Sequence, residues 1–500
     1  MDVEVVVCSS SGKPIFHYER PSRGSAHDAS TSTTCTSSSS CVSTAKSSFV
    51  SSLQGLLSFV SCMQHEELQE LETDGCRCFF QTRENLTFAV ILRSPSAHPS
   101  TGSDSADAVP DVTTDSLQRL IHLLHSQILF VLTERGLDVL RRQPGYDLRE
   151  LLSGTERVMA ALCDRWATDP TLRFHDLGVA FVRLAPGHRM VVTRALEYEP
   201  SGASLTSSSS ASAGGGGGGT GAMICGIVLA KKQIVAVSHP NKKQFNILVD
   251  DLLLLLNFVY HTPSLAKSET WTPICLPSFN SSGFLYAYVV FLTADICLLL
   301  LSSQQSPEQF HSFHAKKEFI ADQLAQAGTI DAIHDAVQSQ SEPGSARWQP
   351  HGDLPLLSHF IYKNELTGEC ATSELEFPFD NEDVATNTLL LNQYAKLHHV
   401  MYPFVKAHKS QAIGKRRSSN LKQGAIASRM TFARSEHGLF IGMCTDEHRL
   451  YACFDSLTSV TEARQQCQVL AERLRYDDEL VSPPFFVTGF GGGSSRSLWP

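Results

Sequence analysis

Hydrophobic and polar positions follow the same order three times along this chain: two short strands, an amphipathic helix, three strands, then one or two closing helices. In the first pass, residues 2–8 and 14–18 alternate like the two strands of a hairpin. Apolar positions between 49 and 60 then recur with the 3.6-residue period of a helix. Three strands are predicted at 66–72, 76–82 and 86–93, and closing helices at 116–135 and 148–166.

The second and third passes repeat this order with little identity between residues. The second pass predicts strands at 224–230 and 233–238, a helix at 245–260, strands through 271 and at 284–292 and 296–301, and a helix near 307–325. The third predicts strands at 357–362 and 369–375, a helix from 381 to about 400, strands near 427–433, 438–445 and 448–454, and a helix at 458–474.

Five strands enclosed by helices resemble the layout of longin modules, so the predicted fold class is α/β. Each of three modules is expected to hold a five-stranded, mainly antiparallel sheet flanked by helices. The predicted division is a first module at 1–165, a connector with a Ser/Gly-rich loop at 166–221, a second module at 222–340 and a third at 355–500. Ser/Thr-rich inserts at 22–46 and 95–114 and a basic insert at 406–423 are expected to be loops on these modules.

The length and charge of the chain fit this division. A chain of 500 residues exceeds one hydrophobic core, and 42% hydrophobic residues suffice to build several. A formal net charge of -10 argues against binding of nucleic acid through bulk electrostatics, so no nucleic-acid partner is expected. Contacts with anions therefore depend on local basic clusters.

Two such clusters are candidates for binding an anionic or phosphoinositide membrane surface. One flanks the first hairpin of the second module and the other lies in the insert 406–423, where an ordinary solvated loop is the alternative. The candidate membrane-binding residues are Lys231, Lys232, Lys242, Lys243, Lys415, Arg416, Arg417 and Lys422.

An apolar segment at 284–301 approaches the length of a membrane span, but Asp295 interrupts it beside a predicted turn. Two buried antiparallel strands are the better interpretation. The 14 cysteines are scattered, and no secretory signal is evident near Met1, so we expect reduced thiols in a cytoplasmic protein. Membrane association is expected to be peripheral.

No catalytic, cofactor or metal site emerges from the sequence. The glycine tract at 214–219 lacks the Lys-Ser/Thr pair of a phosphate-binding loop. The pair His122 and His125 has no third ligand at an evident spacing, and the adjacent carboxylates Asp250 and Asp251 lack an acid-base context. We therefore expect a binding protein without covalent chemistry of its own.

Four segments resemble the Mon family of vacuolar fusion proteins. They are Ser11-Gly-Lys-Pro-Ile-Phe16 in the first hairpin, Tyr146-Asp-Leu-Arg-Glu-Leu-Leu-Ser-Gly-Thr-Glu156, Trp271-Thr-Pro-Ile-Cys-Leu-Pro-Ser-Phe-Asn280 with Gly283-Phe-Leu285, and His359-Phe-Ile-Tyr-Lys363. The motif residues singled out, mainly for structural roles, are Gly12, Lys13, Pro14, Tyr146, Asp147, Leu148, Gly154, Trp271, Pro273, Pro277 and Gly283.

The resemblance implies a function that the fold alone does not, because longin modules occur in unrelated trafficking roles. Members of this family pair with a Ccz-type longin subunit. The heterodimer is a guanine nucleotide exchange factor for a late-endosomal Rab GTPase of the Rab-seven type. The implied processes are endosome maturation and the fusion of vacuoles, lysosomes and autophagosomes, on whose membranes the protein is peripherally recruited. The alternative is a longin adaptor or tether subunit without exchange activity.

The resemblance places the shared Rab surface on the first module but does not name the side chains that contact the Rab. The sequence favours structural roles for the motif residues: Lys13 as an exposed turn residue, Asp147 as a helix cap, and Trp271 as the filling of a gap between modules.

Overall fold

The computed structural model describes residues 2–20, 44–64, 67–73, 75–93, 112–143, 145–198, 223–239, 247–339, 354–365, 367–375, 379, 384–415 and 429–480. These residues form three mainly antiparallel sheets with helices beside them, and the predicted α/β class is confirmed. The chain clusters into two units. The first takes in Met1–His175, Ser281–Gly283 and Glu382–Ala395, and the second takes in the remainder.

The first sheet contains five antiparallel strands in the order β2-β1-β5-β4-β3. Strands β1 and β5 occupy the centre and are apolar on both faces, because helices cover both sides. The elements are β1 Asp2–Ser9, β2 Pro14–Arg20, α1 Thr44–Gln64, β3 Glu70–Thr73, β4 Cys76–Arg83, β5 Leu86–Arg93, α2 Thr114–Arg142, α3 Glu156–Thr168 and α4 Pro170–Arg173.

Two predictions for this module are wrong in their bounds. The strand expected at 66–72 is the shorter β3, and the helix expected at 148–166 begins only at Glu156. Residues 148–154 form turns instead. Gly154 has a φ of 87°, a left-handed conformation that glycine adopts without strain and that interrupts a regular helix.

The closing helices of the first unit are held together by a buried aromatic and cationic pair. The Trp166 indole donates to the carbonyl of Ser116 at 3.0 Å, and the Arg173 guanidinium lies 5.1 Å from the Trp166 ring centre. Arg173 also donates to the side-chain oxygen of Asn392. Burial lowers the pKa of Arg173 to about 9. The contacts that stabilise this buried cation are the Trp166 ring and the Asn392 amide.

The second sheet has the order β8-β7-β11-β10-β9. Strands β10 and β11 pair antiparallel, which confirms that the apolar segment 284–301 is two buried strands. Within the described chain, no helix has both the length and the apolar character needed to cross a bilayer. Two connecting elements, β6 Val179–Ala180 and α5 Pro186–Glu197, precede this module. Its own elements are β7 Met223–Ala230, β8 Gln233–Ser238, α6 Val249–His261, β9 Thr270–Leu276, α7 Pro277–Asn280, β10 Ser281–Phe291, β11 Ile296–Ser302, α8 Pro307–Gln326 and α9 Thr329–Ser339.

The third sheet has six strands rather than five, in the order β14-β15-β16-β12-β13-β6. Its sixth strand comes from the connecting segment and pairs parallel with β13. The remaining elements are β12 Leu357–Asn364, β13 Glu369–Thr372, α10 Val384–Lys415, β14 Arg429–Ser435, β15 Gly438–Cys444, β16 His448–Phe454 and α11 Val460–Arg475. Helix α10 extends through residue 415, so the expectation that the whole of 406–423 is a loop is wrong for its first part.

The connecting segment joins the second and third sheets within the second unit. Val179 donates its main-chain N–H to Gly368 beside β13, at 3.2 Å, and Val182 donates to Ile234 of β8, at 2.8 Å. The edge strands of both sheets are thus paired with one short segment. Helix α5 follows and buries Val192 and Leu196 in the core of the second module. The sequence had marked this region only as a connector.

Candidate functional site

The first sheet has two edge strands, which differ in what covers them. Helix α3 lies beside β2: the Tyr18 hydroxyl donates to the Asp164 carboxylate, and Arg20 donates to the Asp164 carbonyl at 3.4 Å. A helix over an edge strand prevents further pairing there. Strand β3, at the other edge, pairs only with β4 among the described residues. The β3 edge is therefore where another strand can join this sheet.

The ladder between β3 and β4 shows which groups point outward. Phe80 donates its N–H to the Gln69 carbonyl at 2.8 Å, which marks these two as a hydrogen-bonded pair. Because such pairs alternate along antiparallel strands, the main-chain groups of Glu70 and Glu72 point to the open edge. The side chains of both glutamates are exposed, while Leu71 packs against the core cluster beneath α1.

Helix α1 carries more apolar surface than the sheet covers. Leu53 is buried among β1, β4 and β5, with Leu57 packed against the same cluster. A second stripe lies about a quarter turn round the helix, at spacings of three and four residues. Its members are Leu56, Phe59 and Met63, which are 38%, 62% and 68% exposed. We call these three residues the α1 stripe. Because exposed apolar residues at helical spacing mark contact surfaces, the α1 stripe is a candidate interaction site.

Two of the sequence motifs meet at the end of the first hairpin. Lys13 is exposed, as expected, but its ammonium donates to the carbonyl of Gly145, next to Tyr146. Gly12 has a φ of 78° in the turn, and a β-carbon there would lie 3.3 Å from Gln54 of α1. Gln54 in turn donates to the Ser10 carbonyl at 3.2 Å. These motif residues fix the hairpin against its neighbours, in agreement with a structural role.

Asp147 is not a helix cap, contrary to the prediction. Its carboxylate accepts from the main-chain N–H of Arg149 at 3.0 Å and from the guanidinium of the same residue at 2.6 Å. These bonds, and Lys13 more weakly, lower the pKa of Asp147 to about 2. A short polar side chain that bonds its own backbone two residues on makes a turn, so the turn replaces the predicted helix start. Pro14 begins β2, and Leu148 is buried beside the turn.

Trp271 packs inside the second module and does not fill a gap between modules, contrary to the prediction. Its ring stacks on Tyr286 with centroids 6.0 Å apart and meets Phe313 edge-on at 5.7 Å. Pro273 lies on edge strand β9, where a residue without an N–H costs least. Pro277 begins α7, and Gly283 lies in β10.

The buried carboxylate of Asp251 binds the end of the Trp271–Asn280 motif. Asp251, in the first turn of α6, is fully buried and accepts from the Ser278 N–H at 3.0 Å. Its other oxygen has no hydrogen-bond partner among the described groups. Burial raises the pKa of Asp251 to about 7, so the group titrates near neutral pH.

The candidate membrane-binding residues are only partly within the described chain. Lys231 and Lys232 form the tight turn between β7 and β8, with φ values of 39° and 69°. The Lys231 N–H donates to the carbonyl of Asp295, so the turn at Asp295 lies alongside. Lys415 ends α10, but its side chain is not described. Lys242, Lys243, Arg416, Arg417 and Lys422 lie outside the described residues.

Lys363, the last residue of the His359 motif, belongs to a buried ion cluster that the sequence did not reveal. Its side chain is 2% exposed and contacts Asp176 at 3.1 Å and Glu365 at 3.4 Å. Arg449 pairs with the same two carboxylates. Burial lowers the pKa of Arg449, but the two carboxylates outweigh this effect and hold it above its ordinary value. Asp176 lies 187 and 273 residues from its partners, so no local pattern marks the cluster.

The described side chains contain no group of three or more His, Cys, Asp or Glu placed to hold a metal ion. Among the described residues of the first module, a strand edge and an apolar helical stripe are accessible, and features of both kinds commonly serve protein binding.

Family models match the chain in all three modules. The first, second and third longin domains of FUZ, MON1 and HPS1 match residues 3–100, 223–321 and 356–478. Together these matches take in more than half of the chain, and each contains the strands of one sheet, except that β6 of the third sheet lies outside the third match.

Individual MON1 proteins are also similar in sequence to this chain. Vacuolar fusion protein MON1 homolog A of Gallus gallus is 28% identical over 400 residues, which is 78% of this chain and 59% of the relative. The protein of that name in Bos taurus is 28% identical over 409 residues, or 80% of this chain and 60% of the relative. Vacuolar fusion protein MON1 of Cryptococcus neoformans is 30% identical over 288 residues, or 57% of this chain and 42% of the relative. The chain thus spans about three fifths or less of the length of these relatives.

The fold and its surfaces define a three-longin protein. Since the models and relatives agree over most of the sequence, the chain belongs to the MON1 family.

Proposed function

We propose that this chain is one subunit of a heterodimeric guanine nucleotide exchange factor. It pairs with a Ccz-type longin subunit and activates a late-endosomal Rab GTPase of the Rab-seven type. The observation that carries the proposal is the combination of the open β3 edge with the neighbouring α1 stripe on one module. The names of the relatives, vacuolar fusion proteins, support a trafficking role in vacuolar fusion. We extend this role to endosome maturation and to the fusion of lysosomes and autophagosomes.

Pairing at the β3 edge generates the shared surface. A partner strand added beyond β3 extends the sheet through main-chain hydrogen bonds. Leu57 of α1 and Leu71 of β3 pack on the same cluster, so α1 lies over this side of the sheet. A partner module of the same fold then brings its own helix alongside α1. The α1 stripe becomes one wall of an apolar surface, and we assign the switch region of the GTPase to it.

Exchange on such a surface needs no nucleophile. A Rab holds its nucleotide through magnesium, phosphate contacts and ordered switch loops. A complex that binds the nucleotide-free GTPase more tightly must, by thermodynamic reciprocity, weaken nucleotide binding by the same factor. Magnesium contacts are lost as the switch loops are distorted, and abundant GTP then refills the empty pocket.

The test follows GDP release. The chain is co-purified with its Ccz-type partner, and release of fluorescent GDP is measured over a panel of Rabs. Phe59→Glu places a charge on the α1 stripe and is expected to lower the exchange rate at least about tenfold, because about 1.4 kcal/mol of contact energy is lost. Phe432→Glu is the matched control: Phe432 is 54% exposed, but it lies on β14 of the third sheet. This variant should exchange at the wild-type rate.

Three outcomes decide between functions. Release from one late-endosomal Rab, lost in Phe59→Glu alone, supports the proposal. Stimulation of a different Rab would keep the exchange activity and change the substrate. Stimulation of no Rab by a stable complex would leave the adaptor or tether role.

Membrane recruitment is a second part of the proposal. Lys231 and Lys232 on their tight turn, and the basic residues at 415–422, are proposed to bind anionic or phosphoinositide lipids on late-endosomal, vacuolar or lysosomal membranes. Each basic residue near an anionic leaflet contributes about 1 kcal/mol. Co-sedimentation with phosphoinositide liposomes should fall in Lys231→Glu/Lys232→Glu and in Lys415→Glu/Arg416→Glu/Arg417→Glu. Lys267→Glu, an exposed lysine elsewhere in the second module, is the control. Unchanged binding by a cluster variant removes that cluster from the proposal.

A further inference from the structure

Two cysteines lie side by side on β4, next to the open edge of the first sheet. Cys76 and Cys78 are two residues apart and therefore share one face of the strand. Their sulfur atoms are 3.7 Å apart, and both side chains are half-buried rather than enclosed. Their partners across the ladder on β3 are Thr73 and Leu71. The described cysteines are all free thiols and most are buried, so an accessible adjacent pair is unusual in this chain.

The pair lies beside a charged group that favours reaction. Arg93 is opposite Cys76 in the ladder with β5 and carries a partly exposed guanidinium. Burial raises the pKa of Cys78, and the positive charge of Arg93 opposes this effect only in part. Glu4 binds Arg93 and also His17, at 2.8 Å, and thereby fixes the guanidinium on this face. Cys76 lies directly opposite Arg93, whereas Cys78 packs against the core cluster beneath α1, so we take Cys76 as the first thiol to react.

The strand geometry favours a labile bond over a permanent one. Residues two apart in a strand are separated by about 6.6 Å between α-carbons. This separation lies at the upper end of what a disulfide spans, which is about 4.4 to 6.8 Å. Closing the bond must pull the strand together, and strained, accessible disulfides are the readily reduced ones. A disulfide at this position is therefore better suited to reversible regulation than to permanent stabilisation of the strand.

We propose that Cys76 and Cys78 form a redox-active dithiol that closes to a disulfide by exchange with a low-molecular-weight disulfide such as glutathione disulfide. The Cys76 thiolate attacks one sulfur of glutathione disulfide, forms a mixed disulfide and releases one glutathione thiolate, which takes up a proton. The Cys78 thiol then loses its proton, attacks the Cys76 sulfur and releases the second glutathione. Two protein thiols are oxidised and one glutathione disulfide is reduced to two glutathione thiols.

The location gives the switch a consequence, which rests on the proposed function. Shortening β4 between Cys76 and Cys78 disturbs the ladder with Leu71 and Thr73, and β3 is the strand assigned to partner pairing. Oxidation is therefore expected to weaken assembly with the Ccz-type subunit, and reduction by glutathione restores it.

The chemistry is tested on the full chain alone, without partner or GTPase. The chain is incubated with excess glutathione disulfide, digested, and analysed by mass spectrometry. The peptide that contains Cys76 and Cys78 should lose two hydrogens and carry no adduct. Exposed Cys62 on α1 is the internal control and should carry a stable glutathione adduct, because it has no neighbouring thiol among the described residues. In Cys78→Ser, Cys76 should retain its adduct, since no resolving thiol remains.

Assembly is then measured with the oxidised and the reduced chain. Wild type should lose at least about tenfold in affinity for the partner on oxidation, a change of about 1.4 kcal/mol. Cys76→Ser/Cys78→Ser, treated identically, should keep its affinity. Failure of the 76–78 peptide to lose two hydrogens while Cys62 is modified overturns the dithiol. A disulfide that forms without weakening assembly overturns the regulatory role. Neither result depends on whether the assembled complex exchanges nucleotide.

Discussion

At the scale of single residues, two buried sites in the second unit differ in how their charges are compensated. Asp251 is a lone carboxylate, while Lys363 belongs to a network of two cations and two carboxylates. The first costs folding energy at neutral pH because burial disfavours the ionised form that the unfolded chain adopts freely. The second is costly to break because each removal leaves an uncompensated partner.

Asp251 predicts a pH dependence of stability. Its pKa is raised from 3.8 to about 7 in the folded chain, so the folded state retains a proton that the unfolded state has released. Stability is therefore lost as pH rises from 3.8 through about 7, and this group alone should make the fold about 1 kcal/mol less stable at pH 8 than at pH 6. Asp251→Asn keeps the acceptor for Ser278 and removes the charge. It should raise the unfolding temperature at pH 6 and raise it further at pH 8, and it should have little effect below pH 4.

The matching control is Asp250→Asn, on the neighbouring position of α6. Asp250 is not buried, and its replacement should leave the difference between the two pH values in place. An equal gain in both variants, or a gain at pH 6 as large as that at pH 8, would contradict the assignment to the Asp251 carboxylate.

Lys363 predicts a large local loss of stability. Lys363→Met keeps most of the side-chain volume but leaves Asp176 and Glu365 to share Arg449. We expect a loss of about 3 kcal/mol, seen as faster hydrogen exchange in β6, β12 and β16. Arg141→Met removes an exposed pair with Asp138 in the first module and should cost under about 0.5 kcal/mol. Similar small effects in both variants would show that the buried ion cluster does not stabilise the second unit.

At the scale of elements, the two hydrogen-bonding edges of the short strand β3 are expected to differ in function. One edge pairs with β4, and the other is proposed to pair with the partner subunit. Glu72→Pro removes an N–H that points to the open edge and leaves the ladder with β4 intact. The variant should fold like wild type but lose at least about tenfold in affinity for the Ccz-type partner. Pull-down titration of the partner measures the loss, and circular dichroism verifies the fold.

Glu72→Ala separates the backbone from the side chain. It keeps the N–H and removes the carboxylate, so it should bind the partner nearly as well as wild type. If the alanine variant is as weak as the proline variant, the side chain rather than the strand edge makes the contact.

At the scale of the whole molecule, the joint between the second and third sheets depends on close approach of two backbones. Gly178 has a φ of 110°, and a β-carbon there would collide with the carbonyl of Gly368. Gly178→Ala should therefore cost about 1 to 3 kcal/mol and loosen β6 from β13. Gly187→Ala is the control in the same segment, because a β-carbon at Gly187 meets nothing within 4 Å. Hydrogen exchange at 179–182 reports the joint directly, and protection equal to wild type in Gly178→Ala would refute this account.

The periodic segments of the chain were predictable because their signals are local. The hairpin of β1 and β2, the strand pair β10 and β11, and the repeated order of elements follow from apolar spacing within ten or twenty residues. Bounds were less predictable where turns compete with helices. Apolar spacing alone predicts a helix that begins before Glu156, the first residue of α3. The turn made by the Asp147 side chain and the positive φ of Gly154 prevent a helix there.

The sequence by itself determined the three modules, the apolar cores and the family, since each depends on neighbours along the chain or on motif letters. Only the tertiary structure decided which strand edge and which apolar stripe of α1 the other described residues leave uncovered, and which carboxylates pair with Lys363. These features join residues distant in sequence, as Asp176 and Arg449 are, and burial or exposure at such sites is fixed by packing in three dimensions. A one-dimensional pattern carries no record of that packing.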